Sequence, residues 1–89
     1  MSEPKDTLID FPCDFPIKVF GVAQHGFAQA VAEAVQIHAP DFDAASIEMR
    51  ASSGAKYLSL TCTVRVTSKD QLDDVYRTLS GHPMVKMVL

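Results

Sequence analysis

The run from Lys56 to Thr67, KYLSLTCTVRVT, alternates with a period of two. Leu58, Leu60, Cys62, Val64 and Val66 fall on one face, and Tyr57, Ser59, Thr61, Thr63 and Arg65 fall on the other. Successive side chains of a strand point to opposite faces, so this pattern predicts one long β-strand, apolar on one side and polar on the other. With 89 residues there is room for one core only. The remaining elements must therefore pack on the apolar face of this strand or pair beside it.

The rest of the chain supplies those elements. Residues 1–7 are polar and read as a flexible leader, with 8–89 as a single domain. LIDFPCDFP gathers Leu8, Ile9, Phe11 and Phe15 around Pro12 and Pro16. Proline cannot donate to a ladder, so this stretch is expected to lie over the body as an apolar clip and not to enter a central strand. From Phe15 to Val22 the residues become β-like and apolar on both faces, through Ile17, Val19, Phe20 and Val22. After a turn at Gln24 and Gly26, the three- and four-residue spacing of Phe27, Ala30, Val31, Ala34, Val35 and His38 predicts a helix that Pro40 ends.

DFDAAS reads as a loop and IEMRA as a short strand, with Ile47, Met49 and Ala51 opposed to Glu48 and Arg50. SSGA then turns into the long strand to make a hairpin. Ser68 followed by Gln71 has capping-box spacing, and Leu72, Val75, Tyr76 and Leu79 form the stripe of a second helix stopped at Gly81. MVKMVL closes the chain as a strand, with Val85, Met87 and Leu89 on one face and Lys86 on the other. The order β-α-β-β-α-β with right-handed crossovers gives an α+β, ferredoxin-like sandwich. Two helices cover one face of a four-stranded antiparallel sheet in the order 4-1-3-2.

No reaction emerges from the residues. His25, His38 and His82 lack metal-ligand spacing to one another or to Cys13 and Cys62, so no metal site is expected. His38 reads as structural, at a helix C-terminus that favours an imidazole. Cys62 belongs to the apolar face, and Cys13 has no neighbouring cation to activate it; both are expected as reduced thiols. The acid pairs Asp41/Asp43 and Asp73/Asp74 read as solvated surface. The four glycines form no phosphate-cradling motif. The expectation is a non-enzymatic chain with no catalytic residues and no cofactor.

At 47% hydrophobic and 21% charged residues the composition is that of a folded domain, and a formal net charge of −3 disfavours a nucleic-acid reader. Phe20 and Tyr57 are the only plausible stacking aromatics for RNA on such a sheet, beside a basic strip of Lys18, Arg50, Lys56, Arg65 and Lys86. The polar N-terminus lacks the apolar stretch of a signal peptide, and no segment is long and apolar enough for a membrane; a cytoplasmic protein is expected.

LIDFPCDFPIKVFG (8–21), HAP (38–40), SSGAKYLSLT (52–61), QLDDVYRTL (71–79) and VKMVL (85–89) together closely resemble the small, uncharacterised bacterial YbeD-like family. The resemblance runs from about Leu8 to Leu89. It implies a ferredoxin-like fold close to the ACT regulatory domains, and relatives sometimes carry the label of proposed lipoate regulatory protein. ACT-like domains commonly bind amino acids at a dimer interface, through the loop between the first strand and first helix. Here that loop is GVAQHG (21–26), which has no aspartate and departs from the Asp-x-x-Gly form of amino-acid-binding members.

The resulting expectation is a small regulatory or adaptor domain that binds an effector or a protein partner, with a homodimer as one form. RNA binding and a purely structural, self-associating module are the alternatives. The residues that stand out are Lys18, Gly21 and His25 for the loop, with Arg50, Tyr57, Ser59 and Lys86 for the sheet surface.

Overall fold

A computed structural model describes residues 10–89. The flexible leader expected at residues 1–7, and Leu8 and Ile9 of the expected clip, lie outside the described residues. Four strands and two α-helices follow in the order β1 (Cys13–Val22), α1 (Phe27–His38), β2 (Glu48–Ala51), β3 (Tyr57–Val66), α2 (Lys69–Ser80) and β4 (Met87–Val88). The sheet is antiparallel in the order β2-β3-β1-β4, the ferredoxin-like α+β arrangement.

The alternation of β3 sets the core. Leu60, Cys62, Val64 and Val66 are fully buried, as are Ile17 and Val19 of the paired β1. Phe27, Val31 and Val35 of α1, with Leu72, Val75 and Leu79 of α2, close over them. Each such side chain contributes about 1.5–3 kcal/mol relative to exposure. Ser68 Oγ accepts the amide of Gln71 and starts α2. The helices are joined at His38, whose Nε2 lies 2.7 Å from Thr78 Oγ1.

Three details depart from the sequence reading. The proline stretch does enter a central strand: Cys13, Asp14 and Phe15 pair with Val66, Arg65 and Val64, and Pro16 pairs with Thr63. Lys18 exchanges backbone hydrogen bonds with Leu89, the last residue. By two-residue alternation the nitrogen of Pro16 points to that same side, two positions past the Lys18–Leu89 pair, where among the described residues no backbone group pairs with it. Only Phe11 of the described clip residues packs against the core from outside a strand.

At the other edge β2 begins at Glu48, and its four residues are all exposed. The last strand is shorter than expected, and its alternation breaks: Val85 and Val88 pack on the core, whereas Met87 and Leu89 are 50% and 61% exposed. The amide of Val85 is held by His82 O in a turn, so regular pairing begins only afterwards.

Candidate functional site

Of the concave surfaces among the described residues, two that lie on opposite sides of the sheet bring together the residues singled out above. The first is a cleft of about 440 Å³ on the helix side, between the β1–α1 loop and the β2–β3 hairpin. Gln24, His25 and Gly26 form one wall, with Met49 and Leu58 facing them. Gly26 adopts φ +85°, which glycine takes without steric cost, and this turn starts α1 without any side-chain cap. The amide of Phe27 is taken by Gln24 O and that of Ala30 by Gly26 O. Among the described residues, the amides of Ala28 and Gln29 have no acceptor, and α1 has no acid in its first turn. Such an end favours a negatively charged or carbonyl oxygen.

The second surface is the open face of the sheet. Across the four strands run two rows, Arg50–Ser59–Phe20–Met87 and Glu48–Thr61–Lys18–Leu89. Lys18, Glu48, Arg50, Ser59 and Thr61 line a cleft of about 340 Å³. Beside it Phe20, Ala51 and Tyr57 line a more apolar depression of about 220 Å³, which shares Arg50 and Ser59 with the first. At the far end of the face Arg65 reaches Asp14 at 3.4 Å.

The residues singled out from the sequence therefore divide differently between loop and sheet. His25 lies in the loop cleft. Lys18, grouped above with the loop, stands on the open face opposite Thr61, together with Arg50 and Ser59. Gly21 is buried: a Cβ there would lie 2.5 Å from Met84 O and from the Phe27 ring, so this position serves close packing. Tyr57 is 46% exposed at the start of β3, and Lys86 is exposed, with its amide on Phe20 O. Ala28, Gln29, Met49 and Leu58 went unremarked as lining residues. Only the tertiary approach of the hairpin to the loop brings them together.

The thiols are free, and burial pushes Cys62 up to about 11. No group of three or more His, Cys, Asp or Glu that could hold a metal occurs among the described residues. No helix among them is long and apolar enough to cross a membrane.

Residues 6–89 match DUF493, a family described as a protein of unknown function. The chain belongs to this family. It is 52% identical to a UPF0250 protein of Nitrosomonas europaea, covering 96% of this chain and 98% of that one. It is 54% identical to a UPF0250 protein of Janthinobacterium over the full length of both. With a UPF0250 protein of Bordetella pertussis it shares 56% identity over 97% of this chain and 94% of the other.

The fold of this DUF493 member is similar to the solution structure of an H. pylori protein, at a TM-score of 0.74 and 18% identity, covering 100% of this chain and 97% of that one. It is also similar to the ACT domain of GTP pyrophosphokinase from Chlorobium tepidum, at a TM-score of 0.58 and 17% identity over 86% and 97% of the respective chains. The YbeD-like resemblance and the ACT-like fold stand; neither names a ligand.

Proposed function

We infer that this chain is a small regulatory domain that acts by binding and not by chemistry, holding a small effector in the cleft between the β1–α1 loop and the β2–β3 hairpin. The observation that carries this reading is that the Ala28 and Gln29 amides, without an acceptor among the described residues, stand with the apolar walls Met49 and Leu58 around one cleft of about 440 Å³. A ligand with a carboxylate and an apolar body meets both requirements, because the amides donate to the carboxylate oxygens and the walls take the body. The fold likeness to an ACT domain is consistent with a regulatory role and does not supply the effector. Cys62 is buried and pushed up to about 11, which argues against this thiol as a nucleophile.

Amide NMR of the labelled protein, titrated with pooled amino acids and then with lipoate-type carboxylic acids, tests the assignment. Saturable shifts at Gln24–Gln29, Met49 and Leu58, removed by Met49→Glu, are the expected result. Shifts that avoid these residues, or a flat titration with every pool, would overturn the effector site.

A further inference from the structure

Charge in this molecule is sorted by layer. The strands carry Lys18, Arg50 and Arg65 against Asp14 and Glu48, and Lys56 and Lys86 stand immediately before β3 and β4. The helices and their loops carry Glu33, Asp41, Asp43, Asp70, Asp73 and Asp74 against Lys69 and Arg77. A chain with an overall charge of −3 thus shows a positive surplus on its sheet. On the open face Asp14 is taken up by Arg65, whereas neither Lys18 nor Arg50 has an ion-pair partner within 4 Å among the described residues.

The same face collects apolar surface. Met87 and Leu89 flank Phe20 and Lys18 through the β1–β4 pairing, and Tyr57 pairs with Val22 one step further along the sheet. Tyr57, Met87 and Leu89 are three of the five large hydrophobic side chains that stand exposed in the described chain. A large apolar side chain left in water beside unpaired cations is the pattern of an interaction surface.

We propose that the open sheet face docks an acidic peptide segment of a partner protein, with its carboxylates at Lys18 and Arg50 and its apolar side chains on Phe20, Tyr57 and Met87. The two adjoining depressions, one polar and one apolar, share Arg50 and Ser59 and so present charge and apolar contact side by side. The acidic helix layer behind the sheet orients an acidic segment toward this face by repelling it from the other. Glu48 lies across from Thr61 on the edge strand that also carries Arg50, so the carboxylates are held at the Arg50–Ser59 and Lys18 positions and kept off the Glu48 end of the depression. RNA is the poorer occupant, because the exposed apolar side chains Met87 and Leu89 at this face offer no plane on which a base could stack. This surface lies on the opposite side of the sheet from the effector cleft, so either assignment can fail without the other.

A phage-displayed library of random dodecapeptides, selected against the intact protein, tests the proposal. Enriched peptides are expected to combine a surplus of Asp and Glu with apolar residues and to shift the amides of Lys18, Phe20, Arg50 and Ser59. Their affinity should fall at least tenfold for Lys18→Glu/Arg50→Glu and for Phe20→Ser, with unchanged amide spectra elsewhere. Enrichment of nothing, of peptides without an acidic surplus, or of binders indifferent to the charge reversal overturns it. Saturable shifts of the same face by a random RNA octamer pool, lost as salt rises, would overturn it in favour of nucleic acid.

Discussion

Gln71 Nε2 donates to the backbone carbonyl of His38 at 2.8 Å, tying the first turn of α2 to the last turn of α1. The other end of the same amide, Oε1, accepts from the backbone N–H of Thr67 at 2.6 Å and from its hydroxyl at 3.0 Å. The Gln71 amide N–H in turn donates to Ser68 Oγ. One residue thus caps its own helix and satisfies an orphan carbonyl of the other.

Gln71→Ala should therefore cost more than an ordinary cap. Loss of the Thr67 and His38 contacts together is expected to destabilise the fold by about 1.5–3 kcal/mol. Urea denaturation followed by circular dichroism reads this directly. A loss below about 0.5 kcal/mol would mean that water replaces both contacts without penalty.

Three glycines separate packing from backbone strain. Gly21→Ala drives a Cβ to 2.5 Å from Met84 O and Phe27, and overpacking of this kind costs about 1–3 kcal/mol. Gly54→Ala meets no atom within 4 Å but must hold φ +83°, which costs about 1 kcal/mol. Gly81→Ala has φ −87° and its nearest contact at 3.4 Å, and should change stability by less than about 0.5 kcal/mol. The order Gly21 > Gly54 > Gly81 in denaturation midpoints is the check.

The ion pairs Arg65–Asp14, Lys69–Asp73 and Arg77–Asp74 all stand largely in solvent, with side-chain exposures between 44% and 74%. Exposed pairs contribute about 0–1 kcal/mol and are screened by salt. Asp14→Asn should leave stability within about 0.5 kcal/mol of the parent. A clear loss in the denaturation midpoint at low salt would show that the Arg65 contact anchors the start of β1.

Much of this fold was legible because its signals are local. The alternation of β3 and the helical spacing of Phe27–His38 are properties of neighbouring residues, and both elements form within a residue or two of the expected bounds. Pro16 sits in a central strand against its sequence pattern because its tolerance there depends on how far the β1–β4 pairing runs, a tertiary fact. Lys18 reads from the sequence both as a loop residue and as part of a basic strip on the sheet, and only strand pairing with Thr61, more than 40 positions away, decides for the sheet. Val85 does not share a face with Met87 and Leu89 as the alternation predicts, because the turn at His82–Val85 displaces the register, so that Val85 and Val88 pack on the core while Met87 and Leu89 are exposed. The amides of Ala28 and Gln29 carry no residue-type signal at all, since any non-proline residue supplies one.

Cys62 makes stability depend on alkaline pH. Its thiol is fully buried, and burial raises it from 9.0 to about 11. In the unfolded chain the same thiol ionises near 9, whereas the folded state keeps the proton until about 11. The contribution is thus present in full below pH 9 and is lost as pH rises from about 9 to 11, by an amount of order 1–3 kcal/mol. Tyr76, also raised by burial, titrates in the parent and in Cys62→Val alike, so the difference between the two isolates the thiol. Denaturation midpoints measured from pH 7 to 10.5 should differ by a constant up to about pH 8. The parent should then lose ground to the variant. Parallel curves throughout would mean that the Cys62 thiol ionises over the same pH range in the folded and the unfolded chain. In the folded state at neutral pH Cys62 should resist iodoacetamide, while the half-buried Cys13 is alkylated first.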